Sequence, residues 1–307
     1  METRPSITPG QPHPLGVSIH EDGINIAVVS RHAERIFLCL FDEHGQQEIA
    51  RLPLPGRLGD THHGFIHGIR PGARYGLRAD GPWDPDGGHR FDPAKLLVDP
   101  YAHMLDQPFT WHTELASVRA AAVDTAAWVP KAIVTPPLEV APRLTPRKPG
   151  FIYELSVRGF TKRHPDLPED IRGTMAALGH PAVISHLKRI GVDTVELMPI
   201  TAWIDERHLH PLGLRNAWGY NPVSFFAPDP RLAPGGFAEI RTAIAALHGA
   251  GIQVILDVVF NHTGESDKFG PCLSLRGLVT ALYDRLGSGT PGLLVNDAGC
   301  GNTLALD

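Results

Sequence analysis

The chain has 307 residues, 42% of them hydrophobic and 20% charged, with a net charge of −5. That balance describes a globular polypeptide with room for two ordinary domains. The two charge signs are interspersed, which argues against the clustered basic face of a nucleic-acid binder. The polar, Pro-bearing start lacks a signal peptide's apolar stretch, and no run approaches the ~18 apolar residues of a membrane span.

In chain order, the first third alternates short β-like runs with turns. Runs at 24–29, Arg35–Phe41, 48–52, 64–69 and 74–79 are separated by polar or glycine-bearing segments. Arg70-Pro71-Gly72 is a turn with a mechanism, because proline presets φ and glycine tolerates a positive one. This spacing predicts an all-β sandwich. From about residue 84 to 150 proline and glycine are frequent, which reads as an extended connector. The Ala-rich 116–127 segment stays unassigned. The predicted division is 1–147, a β-sandwich module with its connector, and 148–307, a second domain.

From Phe151 the pattern becomes strand–helix–strand. Residues 151–157 read as a strand. The 181–190 segment carries Val183, Ile184, Leu187 and Ile190 on one helical face, with Gly191 as a cap. Residues 193–199 form a second strand. After Pro234-Gly235-Gly236, the spacing of Phe237, Ile240, Ile244 and Leu247 predicts another helix. The stretch from Gln253 to Phe260 is nearly continuous in apolar residues, as in a parallel strand buried on both faces. Asp257 interrupts it, and Asn261 and His262 follow its end, the end that carries active sites in parallel α/β barrels. Three strands and two intervening helices do not close an eight-stranded barrel. The fold class is therefore mixed: an all-β sandwich followed by the first part of a (β/α)8 TIM-type barrel, incomplete, with its third strand an open edge.

Four segments stand out: Phe151-Ile-Tyr-Glu-Leu-Ser-Val-Arg-Gly-Phe-Thr, Asp170-Ile-Arg-Gly-Thr, Ala217-Trp-Gly-Tyr-Asn-Pro and Asp257-Val-Val-Phe-Asn-His-Thr. They resemble the α-amylase family of glycoside hydrolases, and within it the bacterial glycogen debranching enzymes of the isoamylase type. In the first half, Arg74-Tyr-Gly, Gly81-Pro-Trp and the run from His89 to Tyr101 are similar to that subgroup's sandwich module, and Gly299-Cys-Gly-Asn-Thr-Leu fits it as well. The resemblance implies retaining hydrolysis of α-1,6 branch points in glycogen or limit dextrin. That chemistry needs two carboxyl groups ~5–5.5 Å apart. The family places its carboxylates after the fourth, fifth and seventh strands, beyond Asp307. No catalytic residue is therefore assigned, and the isolated chain is expected to be inactive.

What the resemblance does carry over is a sugar-binding floor. Tyr220 matches the aromatic that stacks on the sugar with its hydroxyl left wet, and His262 matches the histidine that hydrogen-bonds it. Asp257 and Asn261 are site-supporting: Asp257 matches a carboxylate whose arginine partner lies outside this sequence, and Asn261 shapes the loop. Taken alone, each has a plainer reading: a paired strand carboxylate, an ordinary loop histidine, a packing tyrosine. Trp83 and Trp111 read as packing. Glu154 and Glu196 on neighbouring strands have no assigned role. His62-His63, His208 and His210 complete no zinc set; no metal and no cofactor is expected.

The expected partner is glycogen or a branched α-glucan, with a second chain supplying the missing strands as a further expectation, and neither nucleic acid nor membrane. Cys39, Cys272 and Cys300 read as free thiols of a cytoplasmic protein. Two alternatives stay open: a non-catalytic α-glucan-binding or partner-requiring fragment, and another clan member such as a branching enzyme or a trehalose-releasing hydrolase.

Overall fold

A computed structural model describes residues 5–137, 148, 150–288 and 292–305. The first eleven strands are β1 (Ile7–Thr8), β2 (Gly16–His20), β3 (Gly23–Val29), β4 (Arg35–Phe41), β5 (Glu48–Pro53), β6 (Gly56–Leu58), β7 (Thr61–His67), β8 (Arg74–Asp80), β9 (Trp83–Asp84), β10 (His89–Arg90) and β11 (Ala132–Ile133). One antiparallel sheet runs β1-β7-β3-β2, with β6 on β7, and the other runs β11-β8-β4-β5; β9 and β10 form a separate hairpin. All five strands read from the sequence are present.

Ile24, Ile26, Leu38, Ile66 and Leu77 are 0% exposed and belong to one core. Burying such side chains is worth ~1.5–3 kcal/mol each. Asn25 on β3 is also buried, but both ends of its amide bond the backbone of Gln11, at 2.7 and 3.0 Å. The short strands β1, β2, β6 and β9–β11 escaped the sequence reading because few-residue runs show too little alternation. The unassigned Ala-rich segment holds only single 3-10 turns, Thr113–Ala116 and Arg119–Ala121.

The second architecture is a three-stranded parallel sheet of β12 (Ile152–Leu155), β13 (Thr194–Leu197) and β14 (Gln253–Leu256), in that order. The helices are α1 (Val157–Thr161), α2 (Met175–Leu178), α3 (Pro181–Arg189), α4 (Gly236–Gly249) and α5 (Leu275–Tyr283). Pro at the first turn and the His180 ring start α3, and Gly191 (φ +79°) ends it. Val183 and Leu187 of α3, with Ile240, Ala243 and Leu247 of α4, pack on Leu155, Val195 and Leu197. Helix α5, interrupted at Val279, had no sequence expectation.

Two expectations change. The strand at β12 is shorter than 151–157, because Ser156 accepts from the Gly159 N–H and turns the chain into α1. The run 253–260 is extended only to Leu256 and is not buried on both faces. Ile255, Leu256, Val258 and Phe260 are 40–54% exposed, since β14 pairs only with β13 among the described residues. The end of the sequence-derived first domain, residue 147, lies outside the described residues.

The two architectures share packing. Ala202, Ile204, Val223, Ala227, Leu273 and Leu278 belong to the same core as the sandwich. Ser274 Oγ donates to Val98 O (2.8 Å), Val98 N to Leu273 O (2.8 Å) and Ser30 Oγ to Leu278 O (2.6 Å). These bonds tie the loop beyond β14 and helix α5 to the sandwich.

Candidate functional site at the strand ends

Tyr220 owes its position to the long loop between β13 and α4, which is folded rather than loose. Val223 N donates to Ala202 O, Ala202 N donates to Ala227 O, and the Asn221 amide donates to Ile204 O at 2.7 Å. Gly219, just before Tyr220, has φ +83°, and a Cβ there would sit 2.9 Å from Pro199 O. Only glycine fits that turn without moving backbone. At Gly264 a Cβ would meet Ile204 at 2.7 Å and Asn221 O at 2.8 Å, so the loop after His262 lies directly on the Tyr220 loop.

The four residues named from the sequence come together. The Tyr220 hydroxyl donates to Asp257 Oδ2 at 2.5 Å. The hydroxyl is therefore committed to Asp257 rather than left wet, and Asp257 has a partner in Tyr220. That bond, with the charges of Asp257, Glu154 and Glu196, pushes the phenol up to about 12. Glu154 and Glu196 are register partners on β12 and β13, so three carboxylates crowd these strand ends.

His262 is 4% exposed. Its Nε2 lies 3.0 Å from Tyr220 O and its Nδ1 lies 3.1 Å from the Asn261 side-chain oxygen. Burial lowers its pKa, so the ring is neutral near pH 7. A neutral ring has one N–H, which goes to the Tyr220 carbonyl. Nδ1 then accepts from the Asn261 amide, which requires the amide to present its NH2. As the site stands, His262 fixes the Tyr220 backbone. Asn261 is exposed, and its carbonyl accepts from Leu304 N at 2.9 Å, closing the loop against the tail.

Tyr220 and His262 line a pocket of about 360 Å³, together with Trp111, Glu206, Arg207 and Asn296. Arg207 grips Asp267 with both guanidinium arms, at 2.8 and 2.5 Å. Glu206 Oε1 accepts from Asn216 at 2.9 Å, while Oε2 is buried with no partner. A buried carboxylate oxygen without a donor is costly and fits a ligand hydroxyl. Sequence reasoning missed Glu206, Arg207 and Asn296, which sit in irregular loops with no spacing signal. Trp111, read as packing, touches the sandwich core and also faces this pocket. Of the thiols, Cys39 and Cys272 are buried and Cys300, on the pocket rim, is exposed; all are free.

An aromatic ring, an unpaired carboxylate oxygen and an amide around one pocket suit a small ligand rich in hydroxyls. Comparison with known proteins narrows this. Residues 14–102 match carbohydrate-binding module 48, the isoamylase N-terminal domain. The glycogen debranching enzyme of Yersinia enterocolitica is 46% identical over 98% of this chain and 46% of its own length. That of Yersinia pseudotuberculosis has the same identity and coverage. In fold, the chain is similar to an Anoxybacillus pullulanase solved with maltotetraose, at TM-score 0.70 and 23% identity, over 95% of this chain and 40% of that one. The catalytic module of the glycogen-degrading pneumococcal factor SpuA aligns at TM-score 0.68 and 22% identity, over 92% and 42%. Over nearly its whole length the chain is similar to the N-terminal part of these curated glycogen debranching enzymes. It spans about half the length of the curated relatives it matches. No described helix is long and apolar enough to cross a membrane.

Proposed function

We propose that this chain supplies the carbohydrate-binding module and the sugar-binding wall of an α-1,6-glucosidase that removes branches from glycogen or limit dextrin. The observation that carries the reading is the Tyr220–Asp257 pair at the strand ends, opening on a pocket with an unpaired Glu206 oxygen. In it, the ring of Tyr220 takes the apolar face of a glucosyl unit, with Asp257 fixing the ring's orientation through the hydroxyl. Glu206 and Asn296 receive and donate hydrogen bonds to sugar hydroxyls. His262 acts by holding the Tyr220 backbone, and Asn261 by orienting His262.

The carboxylates at the strand ends serve as supports in this reading. Asp257 is engaged by a phenol rather than poised opposite an acid, and the chain spans 46% of its relative's length. The 307-residue chain therefore binds branched α-glucan without cleaving it, and the bond-breaking pair belongs to further strands of the barrel. The exposed row of Ile255, Leu256, Val258 and Phe260 supports such a continuation, in the same protein or from a second chain.

The test is calorimetric binding of a branched maltooligosaccharide to the chain, with reducing-end release from β-limit dextrin assayed in parallel. Binding that drops in Tyr220→Ala, without release, is the expected result. Turnover by the chain alone, or binding indifferent to Tyr220, contradicts it.

A further inference from the structure

A second pocket, of about 410 Å³, lies between the start of α1, the end of β13 and the 215–218 segment. Its lining contains three arginines, Arg158, Arg215 and Arg231, and no carboxylate, in a chain whose net charge is −5. The Arg231 fork is held by Asp229 at 2.8 Å on each arm, and its guanidinium lies 3.9 Å from the centre of the Trp203 ring. Arg158 and Arg215 are exposed and have no hydrogen-bond or ion-pair partner among the described residues.

The remaining polar groups point the same way. Trp203 is 5% exposed, and its indole N–H is buried without an acceptor. An unmatched buried donor is unfavourable, and the ring that carries this one lines the pocket. The Asn216 oxygen is filled by the N–H groups of Trp218 and Gly219, both at 2.9 Å, and its NH2 donates to Glu206. Ser156 accepts from Gly159, leaving its hydroxyl hydrogen to donate. The side chains therefore offer donors and almost no free acceptors.

A neutral sugar needs both kinds of partner, because each hydroxyl donates as well as accepts. A phosphate monoester needs only donors, and guanidinium groups match its oxygens in charge and shape. Beside these donors stands the ring of Trp218, 68% exposed, a flat apolar platform of the kind that takes the face of a pyranose.

We propose that this pocket binds a phosphate monoester of a sugar, with Arg158, Arg215 and the Trp203 N–H on the phosphate and Trp218 on the ring. The site is separate from the Tyr220 pocket and stands independently of the function proposed above. The phosphate arrives either on a free hexose or esterified to a glucan chain, and these two sources are separable by experiment.

The test titrates the 307-residue chain with glucose 6-phosphate, phosphorylated maltodextrin, inorganic phosphate and maltotriose by calorimetry. Glucose 6-phosphate or phosphorylated maltodextrin is expected to bind with an affinity that falls as salt rises. Arg158→Ala and Arg215→Ala should each weaken it roughly tenfold, about 1.4 kcal/mol. Circular dichroism checks that each variant is folded. Tighter binding of the phosphorylated chain assigns the glucan source; tighter binding of glucose 6-phosphate assigns the free sugar. Either supports the proposal. It is overturned if no phosphate-bearing sugar binds at millimolar concentration, if inorganic phosphate binds equally well, or if both arginine variants bind like the parent. Maltotriose binding lost only in Tyr220→Ala would still leave the debranching reading intact, so the two claims fail separately.

Discussion

Tyr220 and Asp257 form the pair on which the sugar site turns. Tyr220→Phe keeps the stacking ring and removes the donor to Asp257, so glucan affinity should fall less than in Tyr220→Ala, which removes both; calorimetry of the two variants checks the order. Another residue-scale expectation concerns Asp99, buried beneath the Tyr75 hydroxyl and the Tyr101 N–H, each 2.9 Å away. Burial pushes its carboxyl up to about 6. Because the folded pKa lies above the unfolded one, near 3.9, this group adds stability at pH below both values and loses it as pH rises through 6. Asp99→Asn should remove that dependence, on the order of 2–3 kcal/mol between pH 4 and pH 8, read from urea melts at the two pH values. The sequence brought Tyr220, Asp257, Asn261 and His262 forward through two motifs of one family resemblance. It did not reveal that the Tyr220 hydroxyl is spent on Asp257, because that bond joins residues 37 apart through a loop whose course no periodicity describes.

At the scale of elements, sandwich strand β8 carries Arg78, 0% exposed, between Glu48 and Asp124 and the carbonyls of Pro93 and Ala94. The arginine fastens the irregular 93–124 segment to the sheet. Arg78→Met should cost about 1–3 kcal/mol, since it leaves Glu48 and the Pro93 and Ala94 carbonyls without the guanidinium, while Asp124, 57% exposed, is rehydrated. A lowered denaturation midpoint with unchanged slope is the expected reading. Gly219→Ala should cost about 1–2 kcal/mol of stability and also reduce glucan binding, because the Cβ at φ +83° meets Pro199 O beside Tyr220. Helices α3 and α4 and strands β3, β4, β5, β7 and β8 were legible because each repeats its apolar residues over several turns or alternations. The shortened β14 was not. A run of apolar residues signals burial, and Ile255, Leu256, Val258 and Phe260 are half-open because what flanks them is a matter of tertiary neighbours.

For the whole molecule, the sandwich core extends through Ile204, Leu273 and Leu278 into the segments that follow β13 and β14, while the three-stranded sheet keeps a core of its own, so the module is built into the site's scaffold. Trp111, from the connector, lining the same pocket as His262 is the local sign of that union. The open face of β14 carries a consequence for solution behaviour. The isolated chain should self-associate at micromolar concentration, and Val258→Lys with Phe260→Lys should reduce this in sedimentation velocity runs. The most direct measurement of the central claim is the affinity of the 307-residue chain for a branched maltooligosaccharide, before and after Tyr220→Ala, with reducing ends counted in the same samples. The account predicts binding that weakens at least roughly tenfold in the variant, with no release of reducing ends. Unchanged binding, or release by the parent chain, would contradict it.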